Sequence, residues 1–440
     1  MQYVVLAIFG TCAIVGVFRP FIGLMGLLGV TMINPGEIYP MLSSLHFERI
    51  LVLVTLLGSL VRKEPLIFPK LTKRLLIFWA SMFITVPFSF WPGGDFQFTL
   101  DFGRIILYHF LIANLVDTQK RFQVLLLVFA GLIGWVGGGA LWGYVHGSFD
   151  PMAIRNGFER ATGLSESNGN PNTIGLTMLS GLPIVVLLFG FAKYWQKFVG
   201  FLITLISIIA VLLTGSRTSF AILCILTASF VLNRRTIKFV PVFVVLAIAA
   251  WAVIPAQYKD RYGQIMDVVE GTKTDESFEA HRLAREAGLH MFLDYPLTGV
   301  GAGQFPIAAG QKYWPGPNKL WENPHNLYLQ IPAELGIVGV ITWLSFAVPF
   351  IGTARRLKRQ FANVAYAHIP PPLRGFPRAC LFSVAGLFIG GMFGHVLYRH
   401  TWYLLAGMTV ALERIVSTQT ALAEHTEETV DMAELVPHSA

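Results

Sequence analysis

Apolar runs recur along almost the whole chain, separated by short polar stretches. They lie near 47–61, 75–91, 101–116, 122–145, 172–191, 198–213, 216–232, 238–254, 326–352, 376–397 and 400–416. A helix needs roughly 20 apolar residues to cross a bilayer, and these runs approach or exceed that length. Residues 1–33 are apolar too. They read either as one long broken span or as a short hairpin bent at Arg19-Pro20, because proline removes a helical hydrogen bond. With one span there, the total is about 12. The pattern predicts an all-α polytopic membrane protein.

Polar stretches divide the chain into membrane helices over 1–254, a loop over 255–325, further membrane helices over 326–416, and a tail over 417–440 expected to be disordered. The loop carries helices of its own. Between Ser277 and Phe292, residues Ala280, Leu283, Ala284, Ala287 and Met291 form one apolar stripe. That helix either lies on the membrane surface or packs over the bundle.

Composition supports the membrane reading. Hydrophobic residues make up 54% of the 440 positions and charged ones only 13%, half the roughly 25% of a soluble domain. The net charge of +8 does not point to nucleic acid, because the cations gather in alternate short loops. Arg62, Lys63, Lys70, Lys73 and Arg74 form one cluster, Lys120 and Arg121 another, and Arg355, Arg356, Lys358 and Arg359 a third. Basic loops face the cytoplasm, so 34–46, 92–100, 146–171, 214–216 and 255–325 face outward. Under the one-span reading both termini are cytoplasmic. Cys12, Cys224 and Cys380 lie within apolar runs and read as small core residues.

Several helices begin at that outer face. Ser216 suits the cap of a helix opening with Arg217, Asn170 the cap of one opening with Pro171-Asn172, and Asn323 the cap of one opening with Pro324-His325-Asn326. Free N–H groups and the positive dipole end attract anions. Arg104, Arg155, Arg160, Arg217, Arg282 and Arg285 lie on or near the same face. Together they suggest a cationic, membrane-level pocket for phosphate. Each has a plainer alternative: Arg217 as an interfacial anchor, Arg282 paired with Glu279 or Glu286, Arg155 and Arg160 on a loop surface, Arg104 paired with Asp101. His325, placed in the first helical turn, is expected to be neutral and able to accept a proton. The other histidines show no metal-ligand spacing, and no Walker lysine or external D-x-D pair occurs, so neither ATP nor a metal is implied.

The motifs also resemble a known family. Thr214-Gly215-Ser216-Arg217-Thr218-Ser219 is similar to the S-R motif of O-antigen ligases. The stretch from Arg282 through Asp294-Tyr295-Pro296-Leu297-Thr298-Gly299-Val300-Gly301 resembles their R…hPl-GvG pattern. Glu322-Asn323-Pro324-His325-Asn326-Leu327-Tyr328-Leu329, followed by Glu334-Leu335-Gly336, resembles H-N-x-Y-L…E-L-G. Arg160-Ala161-Thr162-Gly163 with Pro171-Asn172 resembles R-x-x-G…P-N. The order agrees across most of residues 75–400.

The resemblance implies a GT-C-like fold in the bacterial inner membrane with its long loop and active site facing the periplasm. It implies transfer of a polysaccharide from undecaprenyl pyrophosphate to the lipid A-core oligosaccharide, without metal or cofactor. His325 would accept the acceptor's proton in an inverting displacement, while Arg217 and Arg282 hold the diphosphate. Arg160, Asn172, Asn326, Tyr328 and Ser216 would complete substrate binding, Tyr328 by supporting the His325 helix. The expected partners are the lipid-linked donor, the lipid A-core acceptor and membrane lipids. Polymerases of O-antigen and ligases acting on protein share the motifs. A transporter of lipid-linked sugar is the competing class, disfavoured by cations confined to one face and by the lack of repeat halves.

Overall fold

A computed structural model of the chain describes residues 2–62, 66–155, 158–165, 170–190, 194–231, 248, 251, 255–269, 276–314 and 323–434. Among them the regular structure is helical, with one isolated bridge between Phe149 and Ala161. A bilayer demands this, since each backbone N–H and C=O must be satisfied within its segment. Eight of the described helices are long and apolar enough to cross a membrane. The chain is a multi-pass membrane protein.

The first 33 residues form the hairpin, not the single span. Helices α1 (Gln2–Phe18) and α2 (Pro20–Ile33) meet at Arg19. A Cβ on Gly16 would stand 3.0 Å from Gly23, one on Gly26 2.6 Å from Cys12, and one on Gly29 3.2 Å from Phe9. That register is antiparallel, and the missing side chains let the two backbones touch. The start of α1 therefore lies at the same end as the close of α2, whereas the one-span reading put the N-terminus at the opposite end.

Helices α3 (Phe47–Val61), α4 (Lys70–Thr85), α5 (Pro92–Leu115), α6 (Gln119–Val145), α7 (Pro171–Gly190), α8 (Tyr194–Leu213) and α9 (Arg217–Val231) follow. The span expected over 238–254 falls almost wholly outside the described residues. The loop contributes α10 (Ala256–Val269) and α11 (Glu276–Asp294). On α11 the stripe residues Ala284, Ala287 and Met291 are buried, and the latter two join Val300, Phe305 and Ala333 in one small core. Of the two placements open for this helix, it takes the one over the bundle.

Three long helices complete the chain: α12 (Leu327–Gln360), α13 (Pro371–Gly390) and α14 (His400–Glu434). The last passes residue 416, where a disordered tail was expected. Ala421, Leu422, Ala423 and Glu424 are strong helix formers and let it continue. Helix α12 is broken at Gly336, with φ 60° and ψ −162°. The turns of residues 296–301 zip onto the break: Val300 and Gly301 N–H donate to the Ala333 and Glu334 carbonyls, and Ile337 N–H to that of Pro296, at 2.8–2.9 Å. Irregular backbone inside a membrane bundle survives only when protein satisfies it in this way.

Candidate active site

Between α8 and α9 the chain makes a tight turn at Thr214-Gly215-Ser216. Gly215 has φ 58°, and a Cβ there would stand 2.7 Å from the Phe158 ring, so only glycine fits. Ser216 caps α9 as expected, its Oγ accepting from the Ser219 N–H at 3.3 Å. Asn170 caps α7, its Oδ1 accepting from the Asn172 N–H at 2.9 Å, with Pro171 in the first position.

Three guanidinium groups gather around this turn. Arg160 donates from Nε to the Thr214 carbonyl at 2.8 Å and from Nη2 to Asn172 Oδ1 at 2.7 Å. Arg261 on α10 donates from Nε to the Gly215 carbonyl at 2.9 Å and lies over the Phe158 ring at 4.6 Å. Arg217 opens α9. The Arg160 side chain is only 12% exposed. Burial, then repulsion from Arg261 and Arg217, pushes its pKa down to about 10; Asp150, 4.0 Å away, opposes the fall. Arg160 stays charged at neutral pH, so the turn concentrates positive charge beside two helix starts. That arrangement has the charge and the N–H donors that suit an anion.

Arg261 was not legible in the sequence. It stands in Lys259-Asp260-Arg261-Tyr262, which reads as a solvated helix face. Docking decides otherwise: the Tyr262 hydroxyl donates to the Leu212 carbonyl at 2.7 Å and Tyr258 packs on Phe158. These contacts press α10 onto the turn.

His325 lies elsewhere than expected within its own helix start. Asn323 is not the cap. Asn326 caps α12, its Oδ1 accepting from the Tyr328 and Leu329 N–H groups at 2.9 and 3.1 Å. His325 therefore precedes the helix and adopts a left-handed φ of 43°. The reason is local: one Asn side chain satisfies two N–H groups that the first turn of any helix leaves without a backbone acceptor. The imidazole sits among two others, with ring centroids 4.7 Å from His281 of α11 and 5.4 Å from His395. Tyr328 supports this helix start as expected, donating to the Phe388 carbonyl at 3.1 Å, and Asn326 Nδ2 donates to Met392 at 3.3 Å.

The two clusters are joined by residues 391–399, which connect α13 to α14. His395 meets His325, and four residues later Arg399 donates from Nη2 to the Thr173 carbonyl and to Thr177 Oγ1 at 3.0 and 2.7 Å. Thr173 follows Asn172, the partner of Arg160. Arg399 Nε is buried without a hydrogen-bond partner among the described residues. Gln330 and Glu334 on α12 anchor this segment. Gln330 Oε1 accepts from the Leu397 N–H at 3.3 Å, and Glu334 accepts from the Tyr398 hydroxyl at 2.6 Å and the Gly303 N–H at 3.1 Å.

The remaining candidates divide. Arg282, 49% exposed, pairs with Glu286 at 3.0 Å, the plainer alternative for that residue, although its neighbour His281 touches His325. Arg104 pairs with Asp101 and also with Glu48. Among the described residues, no group of three His, Cys, Asp or Glu side chains is arranged to hold a metal ion.

A multi-pass helical protein with clustered guanidinium groups at its helix starts and an imidazole nearby fits membrane glycosyl transfer. Residues 202–344 match the family model described as O-antigen ligase, a stretch holding Ser216, Arg217, Arg261, Arg282 and His325. No curated protein shows significant similarity to the chain.

Proposed function

We propose that the protein is an O-antigen ligase of the inner membrane, which transfers a polysaccharide from undecaprenyl pyrophosphate to the lipid A-core oligosaccharide at the periplasmic face. One observation carries the reading: Arg160, Arg217 and Arg261 converge on two helix starts, and a single segment, 391–399, ties that cluster to His325. The cluster suits a leaving diphosphate, whose oxygens the planar guanidinium groups bind bidentately. His325 then accepts the acceptor hydroxyl's proton as that oxygen attacks the anomeric carbon, and the bond from that carbon to the phosphate oxygen breaks with inversion. Asn172 and Ser216 hold the cluster's helix starts; Asn326 and Tyr328 hold the imidazole's. Arg282 reaches phosphate by exchanging its Glu286 partner. Fixed cations supply what a metal otherwise would, so the reaction needs none.

Purified wild type, His325→Ala and Arg217→Ala, assayed with lipid-linked donor and lipid A-core in detergent plus chelator, test the proposal. Wild type is expected to transfer glycan with inverted configuration. Each variant is expected to lose about 10²–10³-fold in rate, the usual effect of removing one preorganised stabilising group. Full activity of His325→Ala, a requirement for Mg²⁺, or a retained configuration would each overturn it.

A further inference from the structure

A cavity of about 410 Å³ is bounded by the end of α2, the start of α3, the middle of α5 and His400 at the start of α14. Its size is within the roughly 300–1,000 Å³ of small-molecule sites. The wall is charge-balanced, with Glu48 and Asp101 facing Arg49 and Arg104. Arg104 bridges both carboxylates, at 2.9 Å to Glu48 and 3.3 Å to Asp101, and the Tyr108 hydroxyl donates to Glu48. The contrast with the 214–217 turn is informative. Unbalanced guanidinium groups select phosphate, whereas interleaved fixed donors and acceptors without net charge suit a polyhydroxylated ring.

The backbone singles out the same place. Three described residues other than glycine have positive φ: Asn34, His46 and His325. The first two line this cavity. Such conformations cost energy, persist where the surroundings over-determine them, and concentrate at ligand sites.

Connectivity links the cavity to the chemistry. Within the segment that brings His395 to His325, Tyr398 stands against Phe98 and Phe102 of α5, with centroids 4.7 and 5.6 Å apart. Arg399 turns the other way, to α7, and His400 forms part of the cavity wall. We infer that this cavity holds sugar residues of a substrate glycan and so fixes which hydroxyl or anomeric carbon reaches His325. The inference rests on the glycan-transfer reading above. The sugars belong either to the core oligosaccharide of the acceptor or to the donor glycan beyond its first residue.

Two variants probe the cavity while leaving the Glu48–Arg104 pair intact: Arg49→Ala, and Ser43→Trp, which fills it. Saturation-transfer NMR on purified protein would use core oligosaccharide released by mild acid and, separately, free glycan hydrolysed from the donor. One of these is expected to give a signal with wild type and with His325→Ala that both cavity variants lose. In transfer assays, KM for the corresponding substrate should rise about tenfold with kcat nearly unchanged, as for one lost hydrogen bond to a charged group. A rise for the acceptor or for the donor names the source of the sugars. Unaltered saccharide signals and unaltered KM for both substrates in a folded Ser43→Trp protein would overturn the inference, even if wild type transfers glycan normally. Cavity-dependent saccharide binding in a protein that transfers nothing would uphold the saccharide site and overturn its role in transfer together with the transfer reading.

Discussion

The Tyr398–Glu334 hydrogen bond holds the segment on which both clusters depend, and its removal should be felt at each. Tyr398→Phe deletes only the hydroxyl that donates to Glu334 at 2.6 Å. Glu334 is 1% exposed, so no water replaces the lost donor. The Gly303 N–H at 3.1 Å remains, which prevents complete loss of partners. Side-chain pairs within membrane bundles average about 0.6 kcal/mol and reach about 1.7, whereas a buried acceptor losing its donor costs about 1–3 kcal/mol. This bond is short and buried, so we expect about 1.5–2 kcal/mol. A double-mutant cycle of Tyr398→Phe and Glu334→Gln, read by reversible unfolding in mixed micelles, measures it. Transfer activity should fall in each single variant, because His395 and Arg399 are released together. Strict additivity, within about 0.3–0.5 kcal/mol, would refute the view that these two residues act as one clamp.

Other expectations are equally specific. Gly336→Ala should destabilise by more than about 2 kcal/mol, since a Cβ there meets the Leu297 backbone at 2.3 Å in a conformation reserved for glycine; wild-type unfolding would contradict the zipped break of α12. Asn326→Ala should cost about 1 kcal/mol and reduce turnover, while Asn323→Ala should be neutral; equal effects on thermal unfolding would return the cap to Asn323. The Arg160 pKa is lowered by folding, so the unfolded state holds the proton more tightly and stability should rise with pH only above about 10. At neutral pH an anion must relieve the same strain: inorganic pyrophosphate at 100 times its Kd should stabilise wild type by about 2.7 kcal/mol, and Arg261→Ala distinctly less at the same concentration. Equal stabilisation of the two proteins by pyrophosphate in thermal unfolding would remove Arg261 from the anion site.

Much of this arrangement is legible in the sequence. The runs of apolar residues located most of the helices, and Ser216 and Asn170 announced their capping roles through residue type and place alone. Where local rules competed, reading failed. At Asn323-Pro324-His325-Asn326 the proline signal pointed one way and the two hydrogen bonds of Asn326 decided the other. At 1–33 both readings of the bend were open, and the glycine contacts between α1 and α2 selected the hairpin. Arg261 and Arg399 carried no sequence mark, because a single arginine at a helix face or helix start looks the same whether it meets water or a buried turn.

The sequence by itself determined that the chain crosses a membrane many times as helices, because apolar runs of that length admit no other solvent and no other backbone state. It also determined which helix starts bear cations, through capping residues that act on their immediate neighbours. Only the tertiary structure decided that Arg160, Arg217 and Arg261 share one turn, that three imidazoles meet, and that residues 391–399 join them. Those contacts link positions up to about 230 residues apart, as between Thr173 and Arg399. They depend on how apolar faces pack and on where α12 breaks, neither of which any local pattern encodes.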